Sequence, residues 1–516
     1  MFRNLFDFAK KKNQDPVQYL FIESAYVPEI IQKLLILSQL ICETNNMSPL
    51  ICKSAELKPQ TSDFANQYLS NFELLIESNR SCFVLIKSAL KAIVKRFFIY
   101  RKNDILRIEI SGLILGPVIY DTYLGNYTKS SMSLFDWRLV KTIFQAIYHF
   151  ERISSNLKKS GIRAILLSHR VGMTGAIYSL LAAKMQIPVY SFGGDSRVAL
   201  NRSTDPFSYV YKPTERDVER IKNFDVSTID KLFAKAKEFH LSNLISADTK
   251  YAYEGRVIET QDDFFRIMKI ESRKEFIVFI AAHVPNDYPN GLGVNSSFTD
   301  YNDWLENTLA IARLNRNVFW VIKEHPMMRN YGFDKSYFEE LEERFGAPNM
   351  YFLKCESDFS NKSLASIANA VITCNGSIGF ELPALFGVPS IYWNNSFYVD
   401  FGVGTAIDSF EQYKSLLLDL GVRSTCLYLD QKSAKACYTF VYWSSRIDLQ
   451  INPMVTQEEM LTTYSEDSFS KRMDYLLDFY VRNQVVIREQ EEEIKIQLRE
   501  VDFTALRSPD YLTGSS

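Results

Sequence analysis

The sequence predicts an α/β protein: two doubly wound, Rossmann-like domains facing across a cleft, with a C-terminal helical extension. Three observations carry this. Between residues 275 and 420 short apolar runs alternate with helical periods, the first half repeats the theme less regularly, and beyond residue 450 the pattern becomes one long charged helix. Runs that are apolar at nearly every position belong to strands buried on both faces, as in a parallel sheet flanked by helices.

In the second half the predicted strands are FIVFIAA (276–282), VFWVIKE (318–324), MYFLK (350–354), AVITC (370–374) and PSIYW (389–393). Residues 302–314 read as a helix with Leu305, Leu309 and Ala312 on one face and Asp300 or Asp303 as its cap. In the first half YLFIES (19–24), LRIEI (106–110), AILLSH (164–169) and PVYSF (188–192) read as strands, and 28–44, 134–159 and 174–186 as helices. A weakly periodic stretch after residue 242 holds the linker. The expected domains are therefore 1–245, a linker at 246–273, 274–450, and the extension 451–516, whose helix at 468–501 would cross back over the first domain or mediate self-assembly.

Composition narrows the function. A net charge of -2 argues against nucleic acid, which requires a clearly basic footprint. Seven dispersed cysteines without a C-x-x-C pair indicate reduced thiols rather than a disulfide frame or zinc site, and no paired-His spacing marks a metal. The N-terminal MFRNLFDFAKKK lacks a continuous apolar core, and no run reaches the ~18 apolar residues of a spanning helix. A cytoplasmic protein is expected. The basic amphipathic stretch 91–102 (KAIVKRFFIYRK) suits contact with an anionic inner membrane face, although a helix with a solvated basic face gives the same pattern more often.

Ligands of doubly wound sheets bind beyond the strand carboxyl ends, so the loops that follow strands carry the candidates. After the first strand of the second half come His283 and Asp287 in a Gly/Pro-rich loop, suited to acid–base work, with an Asp-capped turn as the plain alternative. The next ends in Lys323 and Glu324 and is followed by His325, where Lys and His suit neutralisation of a leaving phosphate and His can also donate a proton to it. The third is Asn375, Gly376, Ser377, Gly379 and Glu381, a Gly-containing turn into a helix that suits phosphate, or equally a plain N-cap. In the first half Asp121, His169, Arg170, Asp195 and Arg197 lie near strand ends or in Gly-containing loops and suit a hydroxylated acceptor, or surface ion pairs. Asp300-x-x-Asp303 is a weak metal candidate and reads better as a helix cap.

The order KEHP, NGSIGFE, FGVP resembles the donor-binding domain of bacterial capsule and surface-polysaccharide glycosyltransferases of the GT-B fold. AAHVPNDYPNG, followed by DYNDWLENTLAIA, resembles the opening of that domain in a subset of them. ILGPVIYDTYL (114–124) and SHRVGMTGAIYSLLAAKMQIPVY (168–190) resemble its acceptor-side partner. The resemblance covers roughly 100–410. It implies inverting or retaining transfer from a nucleotide-sugar donor to a glycan or lipid-linked glycan acceptor, with no cofactor and no obligatory metal. Lys323 and His325 would face the donor phosphate, Asn375, Gly376, Ser377 and Gly379 would hold phosphate or nucleotide, and Glu381 would accept from ribose hydroxyls. Asp287 and His283 would supply the acid or base. The chain departs from that pattern at Glu324, where Pro is usual, at Gly376-Ser377, where Ser-Thr is usual, and at Pro383, which would kink the following helix or move its start. CDP-polyol phosphotransfer, nucleotide-sugar 2-epimerisation and a non-catalytic glycan-assembly role are the alternatives on the same architecture.

Overall fold

In a computed structural model of the chain, the described residues are 18–23, 34, 37–38, 41–42, 45–53, 73–76, 82–158, 161–191, 201–203, 215–242, 258–270, 276–291, 297–357, 359–422 and 427–444. The chain divides into two compact units. One comprises Met1–Ile119, Leu134–Tyr211 and Arg446–Ala505, and the other Tyr120–Ser133, Lys212–Ser445 and Leu506–Ser516. The predicted helix at 468–501 lies outside the described residues, as do Asp195 and Arg197.

The strands in chain order begin with β1 (Tyr19–Ile22), β2 (Ser48–Lys53), β3 (Glu73–Ile76), β4 (Glu109–Ile110), β5 (Leu113–Ile114), β6 (Ile162–Leu167), β7 (Val189–Ser191) and β8 (Asn201–Ser203). The first unit's main sheet has the order β3-β2-β1-β6-β7-β8 and is parallel except at the β7–β8 edge. The predicted strand LRIEI is instead the end of a short helix, Lys102–Leu106, and the first arm of the β4–β5 hairpin. A turn through Ser111 and Gly112, both at positive φ, folds the polar-apolar alternation back on itself before it can reach the main sheet.

The second unit contains β9 (Ile277–Ala281), β10 (Phe319–Lys323), β11 (Met350–Leu353), β12 (Ala370–Ile372), β13 (Ser390–Trp393) and β14 (Thr405–Ile407). Its order is β11-β10-β9-β12-β13-β14, and every pairing is parallel. Read from the middle strand outward, each sheet follows the 3-2-1-4-5-6 order of the doubly wound fold.

The apolar runs explain this sheet. Ile277, Phe279, Phe319 and Val321 enter one buried cluster, while Val278, Ile280, Trp320 and Ile322 enter another on the opposite face. Both faces are dry, so a strict polar alternation would leave polar side chains buried in one of them. Helices start where a short polar side chain stops the extended chain: Asp300, Asp334, Ser360, Ser409 and Asp430 each accept a first-turn N–H. Asp300 and Asp303 are thus spoken for, because Asp300 caps Tyr301–Leu314 and Asp303 accepts from the Thr299 N–H at 2.9 Å.

The helices Glu215–Lys222 and Val226–Ser242, which the sequence reading grouped with the first domain, belong to the second unit. Val218, Ile221, Ile229 and Ala236 join the cluster of Phe380, Tyr398 and Tyr438 there. Among the described residues no helix is long and apolar enough to cross a membrane.

Candidate functional site

In the second unit the strand order reverses between β9 and β12, which is where a doubly wound sheet opens a crevice. His283 follows β9, and Thr373, Asn375 and Gly376 follow β12. The four meet. Gly376 N–H donates to Thr373 Oγ1 at 3.1 Å, so the Thr373 hydroxyl proton is left for His283 Nε2, also at 3.1 Å. Asn375 N–H points at the same nitrogen from 3.5 Å. Nε2 is therefore assigned as the acceptor and Nδ1 as the protonated nitrogen. The ring stacks on Tyr301 at 4.4 Å between centroids and meets the edge of Trp304. Burial, followed by the charge on His325, lowers the His283 pKa to about 3, so the ring is neutral at physiological pH.

Lys323 and His325 close the neighbouring strand, β10. Lys323 is buried, and its Nζ donates to Phe359 O at 3.1 Å and Asn361 Oδ1 at 2.9 Å. Burial depresses its pKa to about 8. His325 Nδ1 accepts the Met327 N–H at 3.2 Å, which assigns its proton to Nε2. Burial, then the Lys323 charge, lowers its pKa to about 4. Lys323, His325 and His283 thus form a desolvated basic group. Among the described residues the charges that act on it are its own members', and none of their carboxylates contributes to any of the three shifts.

Glu324, predicted to bind the donor, is turned away from this group. It is fully buried, takes Arg329 in two bonds of 2.9 and 3.1 Å, and accepts the Cys355 N–H at 2.9 Å. Successive residues of a strand point to opposite faces, so Lys323 and Glu324 cannot serve one ligand. Arg329 also holds Glu356 at 2.9 Å. Glu324, Cys355 and Glu356 bring three donor atoms within 4.8 Å, but Arg329 already neutralises both carboxylates.

The turn before the helix Ile378–Phe386 is only partly open to a ligand. Asn375 and Gly376 use their N–H groups internally, whereas the N–H groups of Ser377 and Ile378 have no partner within the helix. Ser377 is exposed, adopts helical angles and makes no side-chain cap. Its two glycines answer to packing. A Cβ at Gly379 would stand 2.1 Å from the Tyr398 hydroxyl, and one at Gly376 would stand 2.9 Å from Thr373 Oγ1. Pro383 neither ends nor displaces the helix, which runs on to the left-handed cap Gly387. Glu381 is buried, and one of its carboxylate oxygens accepts from the Tyr442 hydroxyl.

Asp287 is half-buried in the loop after β9, where it accepts from the Tyr331 hydroxyl at 3.3 Å. Burial raises its pKa to about 6. The next residue, Tyr288, is held at φ 46°, a left-handed conformation that bulky side chains rarely adopt.

The holding device is Asp121. Grouped by sequence with the acceptor side, it belongs to the second unit, in the helix Gly116–Tyr127. Its carboxylate accepts the Asn290 N–H (3.1 Å), Asn290 Nδ2 (2.8 Å) and the Gly291 N–H (2.7 Å), which fixes the far end of the Asp287 loop. Burial raises its pKa to about 7. With a folded value above the ordinary 3.8, its contribution to stability is fully present below 3.8 and is lost as pH rises through about 7. Asp121→Asn replaces an acceptor by a donor facing N–H groups, so a loss of about 1–3 kcal/mol is expected near pH 5. Urea unfolding near pH 5 and near pH 8 should show a shallower pH dependence in the variant than in the wild type.

In the first unit the equivalent reversal lies between β1 and β6. Glu23, just past β1, accepts from both Ser168 N and Ser168 Oγ at 2.9 Å, and burial raises its pKa to about 7. His169 Nδ1 lies 3.2 Å from the same hydroxyl. Arg170 is buried and bound to Ser191 Oγ (2.8 Å) and Val189 O (2.7 Å), which makes it a brace between the end of β6 and β7.

Sequence reasoning gave no role to Glu23, Thr373, Tyr301, Tyr331 or Tyr398. Glu23 and Thr373 carried a usable signal, since each is a polar residue at the end of an apolar strand. The tyrosines carried none among 29.

The chain matches no family model and no curated protein. Solved structures align over most of its length. A UDP-N-acetylglucosamine 2-epimerase is 12% identical, covering 91% of this chain and 97% of that one, with a TM-score of 0.23. A glycosyltransferase from Rickettsia africae ESF-5 is 10% identical, covering 90% and 99%, with a TM-score of 0.25. The spinosyn rhamnosyltransferase SpnG is 12% identical, covering 89% and 100%, with a TM-score of 0.24. Likenesses this distant carry no argument about activity, and the fold assignment stands on strand order and register.

Proposed function

We propose that the protein is a glycosyltransferase that moves a sugar from a nucleotide-activated donor to a surface polysaccharide or its lipid-linked precursor. One observation carries the donor half of this reading: Lys323, His325 and His283 form a desolvated basic group at the carboxyl ends of β9 and β10, with no carboxylate among the described residues acting on it. A buried cation held without a counter-charge is costly, and a phosphate anion relieves that cost. Lys323 and the His325 Nε2–H neutralise the phosphate leaving group, helped by the open N–H groups of Ser377 and Ile378.

Asp287 is the base. A pKa of about 6 lets it be ionised at neutral pH and still hold a proton in passing. The acceptor hydroxyl oxygen bonds to the anomeric carbon, the bond from that carbon to the phosphate oxygen breaks with its electron pair leaving on the nucleotide, and the hydroxyl proton goes to Asp287. Asp121 and Tyr331 position the loop that carries it. The acceptor half of the reading is supported by the motif resemblance at 114–124 and 168–190 and by the Glu23–Ser168–His169 group.

A thermal-shift panel of UDP, CDP, GDP and the matching nucleosides tests the donor. One diphosphate at about a hundredfold excess over its Kd should stabilise the protein by about 2.7 kcal/mol, a rise of several degrees, while its nucleoside does much less. A response to nucleoside equal to that of the diphosphate would remove the phosphate site. Hydrolysis or transfer of a labelled donor separates the transferase from a non-catalytic assembly subunit. Conversion of the free nucleotide sugar at C2 would identify an epimerase, and release of CMP from a CDP-polyol a phosphotransferase.

A further inference from the structure

The helix Cys82–Phe97 of the first unit is turned inside out. Ser88 and Ala92 are buried, while Ile86, Leu90, Ile93, Val94 and Phe97 are between 47% and 72% exposed. Those five fall at i, i+4, i+7, i+8 and i+11, one continuous stripe on a helix of 3.6 residues per turn. A surface helix normally buries such a stripe. The sequence around it is equally one-sided in charge: residues 87–102 hold six Lys and Arg and no Asp or Glu.

A second element extends the patch. Arg96 donates to the backbone carbonyls of Ile99 and Leu134, which ties the loop at Leu134 to the end of the helix. That loop carries Phe135, 96% exposed, and Trp137, while Phe98 and Tyr100 stand exposed just past the helix. Two aromatic-bearing segments, 38 residues apart at their tie point, are thus held together by one guanidinium. Three carboxylates of the described residues are engaged: Glu151 with Lys91 at 2.7 Å, Asp136 with the Arg138 N–H at 2.9 Å, and Asp104 with the N–H groups of Tyr100 and Arg101.

We infer that this face docks on an anionic lipid bilayer. An exposed apolar stripe enters the boundary between headgroups and acyl chains, Phe and Trp suit that depth, and the long Lys and Arg side chains beside it reach the lipid phosphates. The run of six cations without a carboxylate selects a negatively charged surface over a second copy of this chain, which would bring like charge against like charge. This surface shares no residue with the proposed phosphate site, and the inference does not depend on the proposed chemistry.

Vesicle co-sedimentation of the full chain tests it. Vesicles of phosphatidylglycerol with phosphatidylcholine should capture the wild type, pure phosphatidylcholine should capture severalfold less, and high salt should release much of the bound protein. Phe98→Ser with Trp137→Ser, and separately Lys87→Glu with Lys95→Glu, should each cut capture severalfold while circular dichroism melting stays at the wild-type temperature. Equal capture of wild type and both variants overturns the proposal, as does no capture at all. A wild-type dimer in sedimentation velocity that Phe98→Ser with Trp137→Ser converts to monomer also overturns it, by showing that a second copy covers this face.

Discussion

Gly379→Ala is expected to destabilise the protein by about 3 kcal/mol, the upper end of what overpacking costs in a tightly packed core. Its added Cβ would stand 2.1 Å from the Tyr398 hydroxyl and 3.0 Å from Thr373 Cγ2. Neither neighbour has room. The Tyr398 hydroxyl is committed to the Gly376 carbonyl at 3.0 Å, its ring is wedged among Phe380, Tyr392 and Phe397, and Thr373 is engaged with His283. Tyr398→Phe alone should cost about 1 kcal/mol by leaving that carbonyl unbonded. In the double variant the hydroxyl is gone and the nearest remaining ring atom, Cζ, lies 3.0 Å from the new methyl. The two changes should therefore be less damaging together than their sum by about 1 kcal/mol or more. Urea unfolding of the four proteins measures this. A Gly379→Ala protein with the wild-type midpoint would show that the turn does not rest on Tyr398.

Lys323→Met is expected to weaken binding of the nucleotide diphosphate about a hundredfold, and His325→Ala about tenfold, with transfer falling at least as far. Bonds between charged groups contribute about 1.5–3 kcal/mol each, and removing one donor to a developing oxyanion costs about 10²–10³ in rate. The fold should survive both changes. Methionine matches the volume of lysine and removes a desolvated charge, so only the Phe359 carbonyl and the Asn361 amide lose a partner. His325 is half-buried, and its hydrogen bond within the protein is to the Met327 N–H. Calorimetric titration with thermal melting of the same samples separates lost binding from lost structure. Wild-type affinity in Lys323→Met would move the phosphate elsewhere.

The fold was legible because the apolar runs are short, continuous and separated by capped helices. Phe279 and Ile280, or Val321 and Ile322, already announce a sheet with two dry faces. The strand ends also placed Lys323 at the tip of one strand and His283, His325 and Asn375 in the loops after neighbouring strands. Other features depend on long-range packing. Asp121 is 169 residues from Asn290, and no local pattern shows that its carboxylate meets that loop. Glu324 resembled a member of the phosphate group until Arg329, five residues on, claimed both of its oxygens. Gly376 and Gly379 read as room for a phosphate, yet the atoms that need that room are Thr373 Oγ1, His283 Cε1 and the Tyr398 hydroxyl. A glycine records close approach and not the identity of what approaches.

Proton uptake on nucleotide binding near pH 8 tests the central claim most directly. At that pH the phosphates are fully ionised, their last pKa being about 6, while Lys323, with a pKa of about 8, is near half protonation in the free protein. A phosphate set against it raises that pKa, so titrations of the preferred diphosphate in buffers of different ionisation enthalpy should reveal uptake of up to about half a proton. The uptake should vanish in Lys323→Met. Tight binding without proton uptake in the wild type, or the same uptake in the variant, would contradict a phosphate held by Lys323.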